Sequence, residues 1–170
     1  MRRGGMACCQ AALIALALTA CDTPPPSTHE LPGVAYVHPR RRTEADVARA
    51  SEAFYAKETH GQDVVFRTVE AERAGYYFYV KLDLEPPADA RLVLEVIRRE
   101  TAPPERYVFS TSVRPKFPVG EYVIGLTGKD AGPANWVPVA WRLSVVDVQG
   151  QVLASTHSFL WGSPTDLVRK

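Results

Sequence analysis

The chain has 170 residues, 46% of them hydrophobic and 23% charged, with a formal net charge of +1. That is room for one domain and a targeting segment, with enough apolar material for a core. A balance this close to neutral argues against a dedicated nucleic-acid binder, which carries a basic excess.

Arg2 and Arg3 form a short positive segment. Residues 7 to 20 are mostly apolar and free of charge, and Asp22, Pro24, Pro25 and Pro26 then switch to a polar, extended composition. This is the layout of a secretory signal peptide, and the apolar stretch is shorter than the roughly 20 residues of a membrane-crossing helix. The three cysteines are Cys8, Cys9 and Cys21, so nothing C-terminal to them offers a thiol for a disulfide.

Leu18-Thr19-Ala20-Cys21 resembles the lipobox of bacterial lipoproteins, in which small residues precede an obligatory cysteine. The resemblance covers the first two dozen residues. It implies a diacylglyceryl group on the Cys21 thiol, cleavage between Ala20 and Cys21, and further acylation, as by palmitate, of the new amino group. Several acyl chains hold a protein at a membrane where one would not. Asp22 resembles the inner-membrane retention signal of enteric lipoproteins. The resulting expectation is a signal peptide over residues 1–20, a lipidated tether over 21–33, and one globular domain over 34–170 facing the periplasm.

The tether reads as extended because Pro24 to Pro26, Ser27, Thr28, Pro32 and Gly33 have little to bury. Arg40, Arg41 and Arg42 follow. They read as a solvated charge run before a helix, and the alternative is contact with anionic headgroups. Thr43 is a candidate N-cap with Glu44 and Asp46 in the first turn, and Val47, Ala50 and Phe54 form a narrow apolar stripe. Together these predict a helix over about 43–58, ended by Gly61.

From residue 63 the period changes to two. Seven strands are expected: 64–70, 76–84, 92–98, 107–113, 122–127, 139–148 and 152–161. In the second, Phe78, Val80, Leu82 and Leu84 alternate with Tyr77, Tyr79, Lys81 and Asp83. Gln149-Gly150 reads as a tight hairpin turn. Short alternating strands with prolines between them predict a mainly β, antiparallel sandwich over about 62–161. Phe117-Pro118-Val119-Gly120-Glu121-Tyr122 resembles the proline-glycine-x-tyrosine lead-in to a late strand of bacterial immunoglobulin-like and fibronectin-like domains. The resemblance implies that Tyr122 buries its ring and returns its hydroxyl to the backbone. It carries a fold and no chemistry.

No residue pattern calls for a metal or a cofactor. Gly125 to Asp130 falls short of a phosphate-binding loop, because Asp130 stands where a hydroxyl is needed. His29, His38, His60 and His157 are scattered, without ligands at zinc spacing. The local carboxylate pairs, such as Glu70 with Glu72, read as solvent-facing. The aromatic residues are the better candidates. Tyr77 and Tyr79 share the strand face opposite Phe78, and Trp136 lies in a loop rich in proline and glycine; these three form the expected binding surface. Ordinary packing competes with that reading at each, with Trp136 plugging the end of the core. Trp141 and Trp161 are expected in the core. The expectation is a non-enzymatic, membrane-anchored envelope module that binds another envelope protein. The alternative is carbohydrate or peptidoglycan binding through Tyr77, Tyr79 and Trp136, and an unrecognised enzyme ranks last.

Overall fold

Period-two alternation becomes nine strands in two sheets in the computed structural model, which describes residues 28–47, 60–99, 103–116 and 118–161. The strands are β1 (Thr28–Leu31), β2 (Val34–Arg42), β3 (Val64–Arg67), β4 (Gly75–Leu82), β5 (Arg91–Ile97), β6 (Glu105–Ser110), β7 (Tyr122–Thr127), β8 (Ala140–Val146) and β9 (Val152–His157). One sheet has the order β1-β9-β8-β5-β6 and the other β2-β4-β7-β3. Their inner faces share one core. Phe78 and Val80 of β4, Leu92, Leu94 and Val96 of β5, Ile124 and Leu126 of β7, and Leu143 and Val145 of β8 are all fully buried in it. Every neighbouring pair is antiparallel except β3 with β7, which run parallel. That pair corrects the expectation of a wholly antiparallel fold.

Seven strands were expected and two more are present. β1 lies inside the expected tether: Thr28 pairs with His157 and Leu31 with Ser155. The short stretch Thr28–Leu31 is ordered because β9 offers it an unpaired edge. β2 takes up the arginine run that read as a charged approach to a helix. Its period of two is present, with Tyr36, His38, Arg40 and Arg42 on one face and Val37, Pro39 and Arg41 on the other. Pro39 masked it, since proline argues against a central strand. β2 is an edge strand, where a missing N–H costs no ladder bond on the open side.

Of the expected helix, Glu44–Val47 is helical, and residues 48–59 lie outside the described residues. Thr43 does cap it. Its backbone N–H and hydroxyl both donate to Asp46 Oδ2 at 2.8 Å, and the Asp46 N–H donates back to Thr43 Oγ1 at 3.3 Å. The backbone N–H bond comes first in holding the Asp46 carboxyl below its usual range. The β8–β9 hairpin turns where expected. Gly150 has a φ of 84°, and Asp147 Oδ1 accepts from the backbone of Gln149 and Gln151. The last expected strand stops at His157 and gives way to a 3-10 turn, Phe159–Trp161.

Candidate functional site

The outer face of the β2-β4-β7-β3 sheet follows from the register. His38 stands opposite Tyr79, Arg40 opposite Tyr77 and Arg42 opposite Gly75; on the far side of β4, Tyr79 faces Val123 and Tyr77 faces Gly125. Tyr36, His38, Pro39, Arg40, Arg42, Tyr79 and Glu121 line an open groove on this face. Its walls are aromatic and basic. The Tyr36 and His38 rings meet edge to face at 4.7 Å, and the Arg42 guanidinium sits 5.2 Å from the centre of the Tyr79 ring. His38 and Arg40 are exposed.

Glu121 closes one end of the groove by accepting a hydrogen bond from the Tyr36 hydroxyl. That bond, with the carboxylate charge beside it, pushes the Tyr36 phenol up to about 12. At the same end Lys81 Nζ donates to the carbonyl oxygens of Pro118 and Gly120, at 3.0 Å to the latter. Burial raises the Tyr79 phenol, and the nearby Arg42 charge opposes the shift.

The three aromatic residues expected to form a binding surface are not brought together. Tyr77 does lie on the outer face, as its alternation with Phe78 required, yet it is 2% exposed. Its ring fills the space above Gly125, where an added Cβ would come within 2.5 Å of a ring carbon. Its hydroxyl donates to the Arg73 carbonyl at 2.6 Å and accepts from Arg67 Nε at 3.4 Å. Tyr77 is therefore a packing residue, a correction to its expected exposure. A glycine in the middle of a strand was the available signal, because it marks a close approach. Tyr79 is half-buried in the groove wall.

Trp136 belongs to the other side of the sheet. It meets Tyr76 edge to face at 5.5 Å, and the Arg98 guanidinium covers it at 4.4 Å. It plugs the end of the core. Trp141 is buried against Phe78 at 5.9 Å, as expected. Trp161 is not in the core. It lies under the Arg142 guanidinium at 4.9 Å, and Arg142 also pairs with Glu95 at 2.7 Å; both Arg142 and Glu95 project outward from the five-stranded sheet. Cys21 and Ala20 lie outside the described residues.

Tyr122 is 2% exposed and starts its strand facing inward, stacked 6.2 Å from Phe66. Its hydroxyl, however, has no hydrogen-bond partner among the described residues. The expected return bond to the backbone is not made, and burial raises the phenol above its ordinary value.

Comparison with protein-family models, with curated proteins and with solved structures returned no match.

Two expectations follow. Tyr122→Phe removes a hydroxyl that has no hydrogen-bond partner among the described residues, so its denaturant midpoint should equal or exceed the parent's. Tyr77→Phe strips a donor from the Arg73 carbonyl and should cost about 1–3 kcal/mol. A loss at Tyr122→Phe as large as at Tyr77→Phe would contradict the assignment of Tyr122, and no loss at Tyr77→Phe would contradict that of Tyr77.

The second concerns alkaline pH. The folded phenol of Tyr36 lies at about 12, against an ordinary 10.0. The protein therefore holds the neutral form, and the stability this contributes is complete below pH 10 and lost as pH rises through 12. Tyr107 also reaches about 12, through burial first and its bond to Glu105 second. Titration of tyrosinate absorbance should show two late-ionising phenols. Glu121→Gln should return one of them toward 10 and leave the other in place.

Proposed function

We propose that the protein is a lipid-anchored, non-catalytic module of the bacterial cell envelope that presents its aromatic and basic groove to another envelope protein. The observation that carries the reading is Leu18-Thr19-Ala20-Cys21 at the end of an uncharged apolar stretch. It supports lipid on Cys21, and Asp22 after it favours retention at the inner membrane.

The strand connectivity supports an immunoglobulin-like or fibronectin-like sandwich. β2, β4 and β7 adjoin in one sheet, and β6, β5, β8 and β9 adjoin in the other. The chain crosses between sheets from β4 to β5, from β6 to β7 and from β7 to β8. These crossings are what the Greek-key weave of such domains would require, and so favour that reading. β1 and β3 are then additions at two edges.

The groove supports protein recognition through its chemistry. Exposed His38 and Arg40 beside the half-buried Tyr36 and Tyr79 combine flat apolar surface with cationic donors, which suits an acidic, partly apolar partner surface. The carbohydrate alternative has less in its favour, since it needs two of Tyr77, Tyr79 and Trp136 on one exposed surface and Tyr77 is buried.

Cys21→Ala tests the anchor. The variant should incorporate no radiolabelled fatty acid and should accumulate as a larger precursor. Equal labelling of variant and parent would refute it.

A further inference from the structure

Phe159 and Leu160, two of the three large hydrophobic side chains of a single short turn, are 72% and 62% exposed. Exposure of this kind usually belongs to loose chain. Here it does not. The Ser158 N–H donates to the Trp141 carbonyl at 2.9 Å, the Trp141 N–H donates to Ser158 Oγ at 3.0 Å, and the Trp161 N–H donates to the Ser158 carbonyl at 3.0 Å. Trp161 is held under Arg142. The turn is fixed at both ends, and what it displays to solvent is phenylalanine and leucine.

The position of this turn matters more than its exposure. Thr28, where the described chain begins, pairs with His157, two residues before Phe159. Antiparallel partners have Cα atoms about 5 Å apart, so Thr28 lies beside the turn. Cys21 precedes Thr28 by seven residues, a reach of at most about 25 Å when fully extended. Val137, 63% exposed, lies at the same end, just before β8. So do exposed Arg99 and Lys129, since the bond from Arg98 to the Asp130 carbonyl ties the end of β5 to the turn after β7.

We propose that this end of the domain rests on the bilayer, with Phe159 and Leu160 inserted at the level of the headgroups and upper acyl chains. The proposal rests on lipidation of Cys21, which supplies the short tether. The opposite end also exposes valines, Val119 at 65% and Val113 at 59%; the tether selects between the two ends. Aromatic and aliphatic side chains on a fixed turn enter an interface without an ordering cost. Lys129 and Arg99 complement anionic headgroups. The docked domain would hold its two sheets roughly upright, leaving the groove of β2 and β4 facing sideways, open to a neighbour in the same membrane.

The test uses the lipidated full-length protein in vesicles of phosphatidylethanolamine and phosphatidylglycerol, part of the lipid brominated along its acyl chains. Cysteine is placed at one position per sample, as Phe159→Cys, Leu160→Cys or Val119→Cys, and carries an environment-sensitive dye. Cys21 is the sole cysteine of the processed chain and is blocked by its lipid. The dye at 159 and at 160 should shift to the blue and be quenched several-fold more by brominated lipid than the dye at 119. Equal, weak quenching at all three would overturn the proposal. So would a blue shift at 159 without bromine quenching, which would mean that a protein surface or a second copy covers the turn. Intact mass of each sample separates the two readings. Lipid present without quenching overturns the docking and spares the anchor, whereas lipid absent removes both.

Discussion

The contact of Phe78 with Trp141 across the two sheets is the constraint on which the other assignments hang. Phe78 is fully buried at the middle of β4 and Trp141 begins the inward row of β8. Tyr76 extends the contact on one side and Trp136 caps Tyr76 in turn, so four rings run from the core to one end of the domain. With a side-chain period of two, turning Phe78 inward turns Tyr77 and Tyr79 outward. The register then carries the assignment to the neighbours, placing Arg40, His38, Val123 and Gly125 on the outer face. A slip of one residue would bury the arginines and expose the core.

The same packing explains which parts of the fold were legible in the chain. β4, β5, β7 and β8 read clearly because each buries an unbroken alternate row. Edges were harder. β1 is four residues that pair with β9, and no local pattern reveals a partner more than a hundred residues away. β2 carried its alternation openly, but its three arginines read as a charged approach to a helix; Pro39 and the arginines suit an open edge because they resist further pairing. β3 pairs parallel with β7, a choice made by the tertiary arrangement and not by its own four residues.

The candidate site shows a similar division. The face of Tyr77 and Tyr79 was legible, whereas the burial of Tyr77 depended on Gly125 being its cross-strand partner. His38 read as one of the scattered histidines, Arg40 and Arg42 as a solvated charge run, and Tyr36 drew no reading, because β2 was not expected. The Tyr122 ring was placed correctly from its glycine-led approach, but its hydroxyl depends on atoms from distant segments, and none of the described residues bonds to it. Fold and anchor meet at β1. Pairing of Thr28 with His157 leaves about half of the expected tether between Cys21 and the first strand, and under the proposed lipidation of Cys21 that shorter spacer is what would hold the domain close to a membrane.

The most direct test is a double-mutant cycle between Phe78 and Trp141, using Phe78→Leu and Trp141→Leu so that both positions stay filled, with stability read from denaturant melts. Facing aromatic rings across one core should show a coupling of about 0.5–1.5 kcal/mol. Additive effects, agreeing within about 0.3–0.5 kcal/mol, would contradict the packing of the two sheets against each other, and the assignment of inner and outer faces would fall with it.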